Sequence, residues 1–278
     1  MSEKIEKNKV RIVCHLADIH IRTFRMHDEY KEVFNQLIND LTTLLVDYKR
    51  EEIRIVIAGD LVHQKIIISN EQLILGTWFL RKLEEIAPLI LIAGNHDLLE
   101  NNKDRMDSIT PMVQFLPDLD INYFKESKCY LDNNIVWCVY SIFEENERPN
   151  IENARKQFGN DKTYIGLYHA ALVNAKTDIG YSIDHGDGLE IFEGLDAVML
   201  GDIHQYQVFI HKNIPIIYPS SLIQQNFGES INNHGFVLWN LEDLSHKHYQ
   251  VENNAPYYQF TIKSLNDIEN GLEKITNM

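Results

Sequence analysis

Apolar residues in this chain fall into two rhythms. Val10 to Ala17, Ile53 to Ala58 and Leu89 to Ala93 are short, nearly continuous apolar runs, the pattern of strands buried on both faces. Between the first two, Tyr30, Val33, Phe34, Leu37, Ile38, Leu41, Leu44, Leu45 and Tyr48 recur at steps of three and four, which predicts one amphipathic helix. Ser69 and Gln72 form a capping-box pair that opens a second helix to about Ile86, and Pro88 ends it. The segment up to Ala93 therefore reads β-α-β-α-β, an order that implies parallel strands joined by helical crossovers. Ligands in such sheets gather past the C-terminal ends of the strands.

After Ala93 the rhythm shortens. Cys129 to Leu131 and Ile135 to Tyr140 flank Asp132-Asn133-Asn134, and Gln207 to His211 and Ile214 to Tyr218 flank Lys212-Asn213; both predict hairpins. Tyr164 to Tyr168, Ala197 to Leu200 and Gly235 to Leu241 add further strands. The second half is expected to be mostly β, a second sheet packed on the first. Near the C-terminus Tyr258, Phe260 and Ile262 alternate as in a strand, and Ser264 can cap a short helix through about Lys274. The expected division is a core over residues 1–252 and the start of a truncated capping region over 253–278.

Charge and cysteine usage narrow the classes. The formal charge is −15, and such a field repels phosphate, so a nucleic-acid substrate would need local cations, bound metal or a partner. Cys14, Cys129 and Cys138 are an odd set with no CxxC spacing, which argues against a disulfide framework or a structural zinc site. The charged N-terminus has no signal-peptide core, and no apolar run approaches the ~20 residues of a membrane helix. The expectation is a reducing, aqueous compartment, the cytoplasm, with no membrane association.

The chemistry sits directly after the strands. Asp18-Ile19-His20, Gly59-Asp60-Leu61-Val62-His63, Gly94-Asn95-His96-Asp97 and Gly201-Asp202-Ile203-His204 each follow an apolar run, and His169 follows another. A lone Asp-x-His is more often chance than ligand, and a lone Gly-Asp is usually a turn. The joint order collects carboxylate, imidazole and amide groups at one sheet edge, as a centre with two metal ions requires. Residues two apart on a strand share a face, so Asp18 and His20 are expected to grip one ion together, and Asp202 and His204 to repeat the device. Asp60 suits a bridging position because a carboxylate has two oxygens to share. Mixed nitrogen and oxygen ligands without thiolate favour two divalent ions such as Mn, with Fe, Zn or Co as alternatives and pure Mg less favoured. His96 is left free as general acid, and Asp97 either orients it or holds the loop.

The set resembles the calcineurin-like metallophosphoesterase superfamily, and within it the SbcD-type DNA-repair exonucleases. Gly59-Asp60-Leu61-Val62-His63 looks like the nuclease form of the second motif, whereas the Gly-Asp-x-x-Asp-Arg-Gly and Gly-Asn-His-Glu of Ser/Thr phosphatases are missing. Ile217-Tyr218-Pro219-Ser220-Ser221-Leu222 is similar to the Tyr-Pro-Gly-Ser stretch after the last metal motif. The resemblance covers roughly residues 10 to 250 and implies an α/β sandwich of two mixed β-sheets flanked by helices. It implies one metal on Asp18, His20, Asp60 and His204 and a second on Asp60, Asn95, His169 and Asp202, with His96 as the acid and His63 helping to place the scissile phosphate. Asp202 departs from the pattern: the last motif is usually Gly-His-x-His, and a harder carboxylate there tilts the site toward Mn. Ser220 for Gly, and Ala170 for the Gly often found after the ligand histidine, are milder departures.

The expected activity is metal-dependent hydrolysis of DNA phosphodiesters in DNA repair or recombination. An SbcC-type coiled-coil ATPase is implied as partner by resemblance, and a homodimer is compatible with it. A phosphodiesterase or phosphatase for small nucleotides would keep the same site, and a metal-binding scaffold without catalysis is the reading from another class. Arg22 and Arg25 are candidates for contact with DNA phosphate, against a solvated-loop alternative. Lys65, Lys103 and Arg105 carry the same ambiguity. His15 points to the other face of its strand, and His185, His211, His234, His246 and His248 read as surface or hairpin histidines. Since the family usually continues into a capping domain and ATPase-docking helices, the isolated chain is expected to hydrolyse small phosphodiesters or single-stranded ends, to hold duplex DNA poorly, and not to dock such an ATPase by those helices.

Overall fold

The computed structural model describes residues 9–258, apart from 145 and 178, together with 261–264 and 268. The first half follows the predicted alternation: β1 (Ile12–Leu16), α1 (His27–Leu44), β2 (Ile53–Ala58), α2 (Asn70–Glu84), β3 (Leu89–Ile92), then a short α3 (Ile109–Gln114) and β4 (Ile121–Tyr123). The second half runs β5 (Cys129–Asp132), β6 (Ile135–Tyr140), α4 (Ile151–Phe158), β7 (Thr163–His169), β8 (Ala197–Gly201), β9 (Gln207–His211), β10 (Ile214–Tyr218), β11 (Gly235–Asn240) and β12 (His246–Gln250). No helix among the described residues is long and apolar enough to cross a membrane. The short helix expected to Lys274 lies largely outside the described residues, as does Phe260 of the strand expected before it.

Two mixed six-stranded sheets result, in the orders β12-β11-β1-β2-β3-β4 and β5-β6-β7-β8-β10-β9. β1 to β4 run parallel, and so do β6, β7, β8 and β10. The second half does not stay in one sheet as expected. β11 pairs antiparallel with β1, and β12 then pairs with β11. The physical reason is the other edge of β1: a fully buried, mostly apolar strand left there would be an open template, and β12, whose residues His246, Lys247 and His248 are polar, makes a safer edge.

The inner strands contribute alternate side chains to two cores. Val13, Ala17, Val56, Ala58, Ile90 and Ile92 meet Trp137, Val139, Ile165, Leu167 and Met199 between the sheets. The opposite face of the first sheet packs on α1 through Tyr30, Val33, Phe34, Leu37 and Leu41, the stripe read from the sequence. Full burial of each such side chain is worth ~1.5–3 kcal/mol.

Both predicted hairpin turns form, and Lys212 and Asn213 adopt φ of 47° and 67°. The other hairpin does more than turn. Asn134 accepts from the Val10 amide at 2.7 Å and donates to its carbonyl at 3.0 Å, and Asp132 takes two 2.8 Å bonds from Arg54 on β2. That bidentate pair clips one sheet to the other. Arg54→Ala is expected to cost about 3 kcal/mol, the low end for a broken buried pair because Asp132 keeps some solvent access. Urea unfolding measures it, and a loss under ~1 kcal/mol would make the clip an ordinary surface ion pair.

Cys129 and Cys138 stand directly opposite on β5 and β6 as free thiols with sulfurs 3.3 Å apart, a proximity that the sequence spacing does not signal.

Candidate active site

The C-terminal ends of β1, β2, β3, β7 and β8 lie along one edge of the sandwich, and all the clusters gather there. The ligand pairs do not converge by strand alternation, as expected from spacing. The strand ends before them, and Asp18, His20 and Asp60 take left-handed φ of 53°, 51° and 54°, with Asp202 at 95°. Each such non-glycine residue costs on the order of 1–3 kcal/mol, and surrounding bonds must hold it. The Asp18 amide donates to the Gly59 carbonyl at 3.1 Å and the His20 amide to the Asp60 carbonyl at 2.9 Å. Tyr30 of α1 donates its hydroxyl to the His20 carbonyl. Ser69 accepts from the Gln72 amide as predicted, but the Gln72 side chain turns away from the expected capping box to donate to Ile21. Both helices thus brace the loop that carries His20.

Asp60 is central. Its Oδ2 lies 3.4 Å from His20 Nε2 and its Oδ1 3.4 Å from His169 Nε2, and Oδ1 also accepts from the His96 amide at 2.8 Å. Asp18, His20 and His204 form one group able to hold a metal ion, Asp18, Asp60 and His169 form a second, and the imidazoles of His20, His63 and His96 form a third with no carboxylate. The two groups with carboxylates share Asp18, and Asp60, the expected bridge, faces His20 and His169 with separate oxygens. Asp202 Oδ1 stands 3.7 Å from His169 Nε2 and 3.4 Å from Asn95 Nδ2.

The glycines of these motifs serve His169. A Cβ on Gly59 would stand 2.2 Å from His169 Nδ1, one on Gly94 2.6 Å from Nε2, and one on Gly201 2.6 Å from Nδ1. A Cβ on Gly94 would also stand 2.2 Å from Asp60 Oδ1 and one on Gly201 2.1 Å from the Ala58 carbonyl oxygen, so three strand ends need glycine for the His169 ring and its neighbours to close up between them.

The imidazoles are anchored from behind. His169 Nδ1 donates to the Ala58 carbonyl at 2.8 Å, which leaves Nε2 with its lone pair toward two carboxylates. His204 Nδ1 lies 2.8 Å from Glu229 Oε1, and its Nε2 faces His20 Nε2 at 3.0 Å. Lone pairs facing carboxylates or each other repel unless a proton or cation lies between them. Burial alone would depress His169, yet Asp60, Asp18 and Asp202 outweigh it and hold its pKa well above the ordinary value. Burial, with Asp60 and Asp202 adding to it, pushes Asp18 up to about 7. Asn95 Oδ1 and His169 Nε2 are buried without a hydrogen-bond partner among the described residues. Orphaned donor atoms among crowded carboxylates fit divalent cations, and the residues of the two groups would hold them.

Glu229 escaped the sequence reading. It is buried, accepts from the Gln225 amide at 2.6 Å and from Asn226 Nδ2 at 2.7 Å, and fixes the His204 ring. Nothing local marks it, since it follows no strand and stands 25 residues from its partner. Glu229→Gln is expected to weaken metal affinity about 10–100-fold, as loss of a carboxylate behind a ligand histidine does. Metal titration by calorimetry checks this, and unchanged affinity would reduce Glu229 to a loop anchor.

Asp97 holds the loop rather than His96. It is fully buried and accepts from the Val62 amide at 3.0 Å and the Gly94 amide at 2.8 Å. His96 is oriented instead by the His63 carbonyl, 2.7 Å from its Nδ1. The His63 and His96 rings stack at 5.2 Å, and His20 meets both edge-on. Burial and the nearby Arg22 charge pull His63 down to about 4, so it is neutral at pH 7.

Arg22 turns inward, donating to the Gln225 carbonyl at 2.9 Å and its side-chain oxygen at 3.3 Å, whereas Arg25 is exposed. Lys65 pairs with Glu100, and Lys103 donates to the Ile142 carbonyl. His15 faces the second sheet, 2.9 Å from the Leu200 carbonyl. His234, read as a surface residue, is buried between Ser221 and Ser230. Ser220 stands at φ 86° where the resembling motif has glycine, and its hydroxyl accepts from the Gly235 amide at 3.0 Å.

A two-sheet α/β sandwich with this Asp/His/Asn cluster past its parallel strands defines a metallophosphoesterase. Residues 12–206 match the calcineurin-like phosphoesterase family, and the chain belongs to it. It is 38% identical over 257 residues to an uncharacterized protein of Acanthamoeba polyphaga mimivirus, a match that takes in 90% of this chain and 19% of that protein. The chain thus spans about a fifth of that relative's length. The crystal structure of TT1561 of Thermus thermophilus shares the fold at TM-score 0.52 and 12% identity, over 88% of this chain and 100% of that one. Phosphopantetheinyl hydrolase of Mycobacterium tuberculosis aligns over 77% of this chain and 90% of its own at TM-score 0.42 and 11% identity.

Proposed function

We propose that the protein is a metal-dependent nuclease that hydrolyses DNA phosphodiesters. The observation that carries this reading is His63, three residues after Asp60, packed against both His20 and His96 beside the cluster. Two divalent ions bound there would supply a hydroxide nucleophile at neutral pH and Lewis-acid polarisation of a phosphoryl oxygen. The chain's own groups do the rest. His96, with Nδ1 held by the His63 carbonyl, has Nε2 left to deliver a proton to the leaving oxygen. His63, neutral and partly exposed at the rim, donates a hydrogen bond to the scissile phosphate. The Asp97 staple keeps the His96 loop at a fixed distance from Asp60. Exposed Phe24, Ile67, Met106, Tyr181 and Phe227 lie on loops that follow the site motifs, where apolar surface can stack unpaired bases.

The acidic charge, together with the internal engagement of Arg22, Lys65 and Lys103, favours single-stranded ends and short fragments over duplex, because duplex binding rests on free cationic contacts. The same observation favours, as second reading, a phosphodiesterase for small nucleotides. Incubation of single- and double-stranded DNA with Mn, Mg or no metal separates them. Metal-dependent shortening of single strands is expected, and turnover of dinucleotides with intact longer DNA would overturn the nuclease reading.

Mn is the proposed metal, on the ground that Asp202 puts oxygen where related sites carry nitrogen. Asp202→His is expected to shift the activity ranking of metals toward Zn or Co. An identical ranking in variant and wild type would remove Asp202 from the ligand set.

A further inference from the structure

Beside His204 a hollow of about 280 Å³ lies between two loops that the strand-end motifs do not explain. One wall is a finger, closed by pairing of Lys176 with Ser182 and by bonds from the Thr177 amide to the Tyr181 carbonyl and from the Gly180 amide to the Thr177 carbonyl. Ile179 stands at its tip with 79% of its surface exposed. The finger is not loose: Lys176 exchanges two backbone bonds with the Gln207 side chain, at 2.8 and 2.7 Å. The opposite wall is the turn at Asn226, whose side chain accepts from the Gly228 amide at 2.8 Å and donates to Glu229 at 2.7 Å. At Gly228 a Cβ would stand 3.0 Å from Asn226 Oδ1 and in ordinary contact with Ile179 Cγ2 at 3.6 Å, so the two walls face each other across this glycine. Through Glu229 this wall is tied to His204, so a group in the hollow has a fixed position relative to the metal cluster.

We propose that this hollow is a nucleoside subsite, taking the base and sugar attached to the phosphate under attack. The proposal rests on the phosphodiesterase reading above. Its floor is Asp202 and His204, so an occupant there is continuous with a group at the metal centre. Among the described residues no lysine or arginine lines it, so nothing there would pair with a second phosphate, and a neutral substituent fits better. Ile179 and Ile203 offer apolar contact for a flat ring, while Thr177 offers a hydroxyl. Exposed Tyr181 and Phe227 belong to the same two loops and add aromatic surface to them.

The test compares two esters with one leaving group, thymidine 5′-(4-nitrophenyl phosphate) and methyl 4-nitrophenyl phosphate, hydrolysed by the full chain with Mn. Wild type is expected to prefer the nucleoside ester in kcat/KM. Ile179→Ala and Ile179→Asp should each reduce that preference about tenfold, chiefly through KM, the scale on which apolar contact in a pocket discriminates. Ile179 is exposed at a turn tip, so neither change threatens folding. A preference that survives both substitutions, or a wild type with no preference, overturns the subsite while leaving the phosphodiesterase reading intact. Failure of wild type to turn over either ester overturns that reading and the subsite with it.

Discussion

Asp60→Asn is expected to reduce bound metal from two ions to at most one and to lower phosphodiesterase activity by at least about 10³-fold, well beyond the 10–100-fold that loss of a partner behind a ligand costs. The substitution keeps the size of the side chain and one oxygen for the His96 amide. It removes the negative charge and the second oxygen, and the two Asp60 oxygens are the ones that face His20 and His169 separately. The fold should survive, because the sheets pack through cores that do not include Asp60. Metal analysis of the purified variant, together with its activity, checks the result. A variant that keeps two ions and most of its activity would show that Asp18, common to the two groups with carboxylates, is the real bridge.

His96→Asn is expected to lower activity on DNA by a factor on the order of 10²–10⁴ while leaving metal content unchanged. Neither of the two groups that contain Asp18 includes this ring, and the bond from residue 96 to Asp60 is made by the backbone amide. A general acid matters in proportion to how poor the leaving group is. The loss should therefore be large for a deoxyribose alkoxide and small for 4-nitrophenolate, which departs without a proton. Equal losses on both substrates would assign His96 to binding instead. The bond from Nδ1 to the His63 carbonyl adds a control, since it is a backbone contact that replacement of the His63 side chain leaves in place.

Periodicity and turn chemistry made most of the fold legible. The continuous apolar runs became β1, β2 and β3, the stripe from Tyr30 to Leu41 became the buried face of α1, and Lys212-Asn213 became a hairpin turn. These are local properties, set by the fit of a few neighbouring residues to one backbone geometry. The position of the site was legible for the same reason. Polar clusters immediately after buried strands must sit at a sheet edge, and parallel strands put those edges on one side.

What the tertiary structure alone decided is carried by contacts between distant segments. The return of β11 and β12 to the first sheet depends on which sheet offers β1's unpaired edge, which no stretch of sequence near Gly235 encodes. The convergence of Asp18 with His20 follows from left-handed residues held by the neighbouring strand's loop, not from strand alternation. Asp97 staples Val62 to Gly94, Arg22 turns to Gln225, and Glu229 fixes His204, each because of a partner brought alongside only by the assembled sheets. The glycines of the motifs read as turns in sequence, and only the packed structure shows that they make room for His169. A residue's type limits the chemistry it can do. Which partner it meets is set by the packing of the whole chain, and that packing turned a list of strand-end motifs into one buried cluster with a shaped hollow at its side.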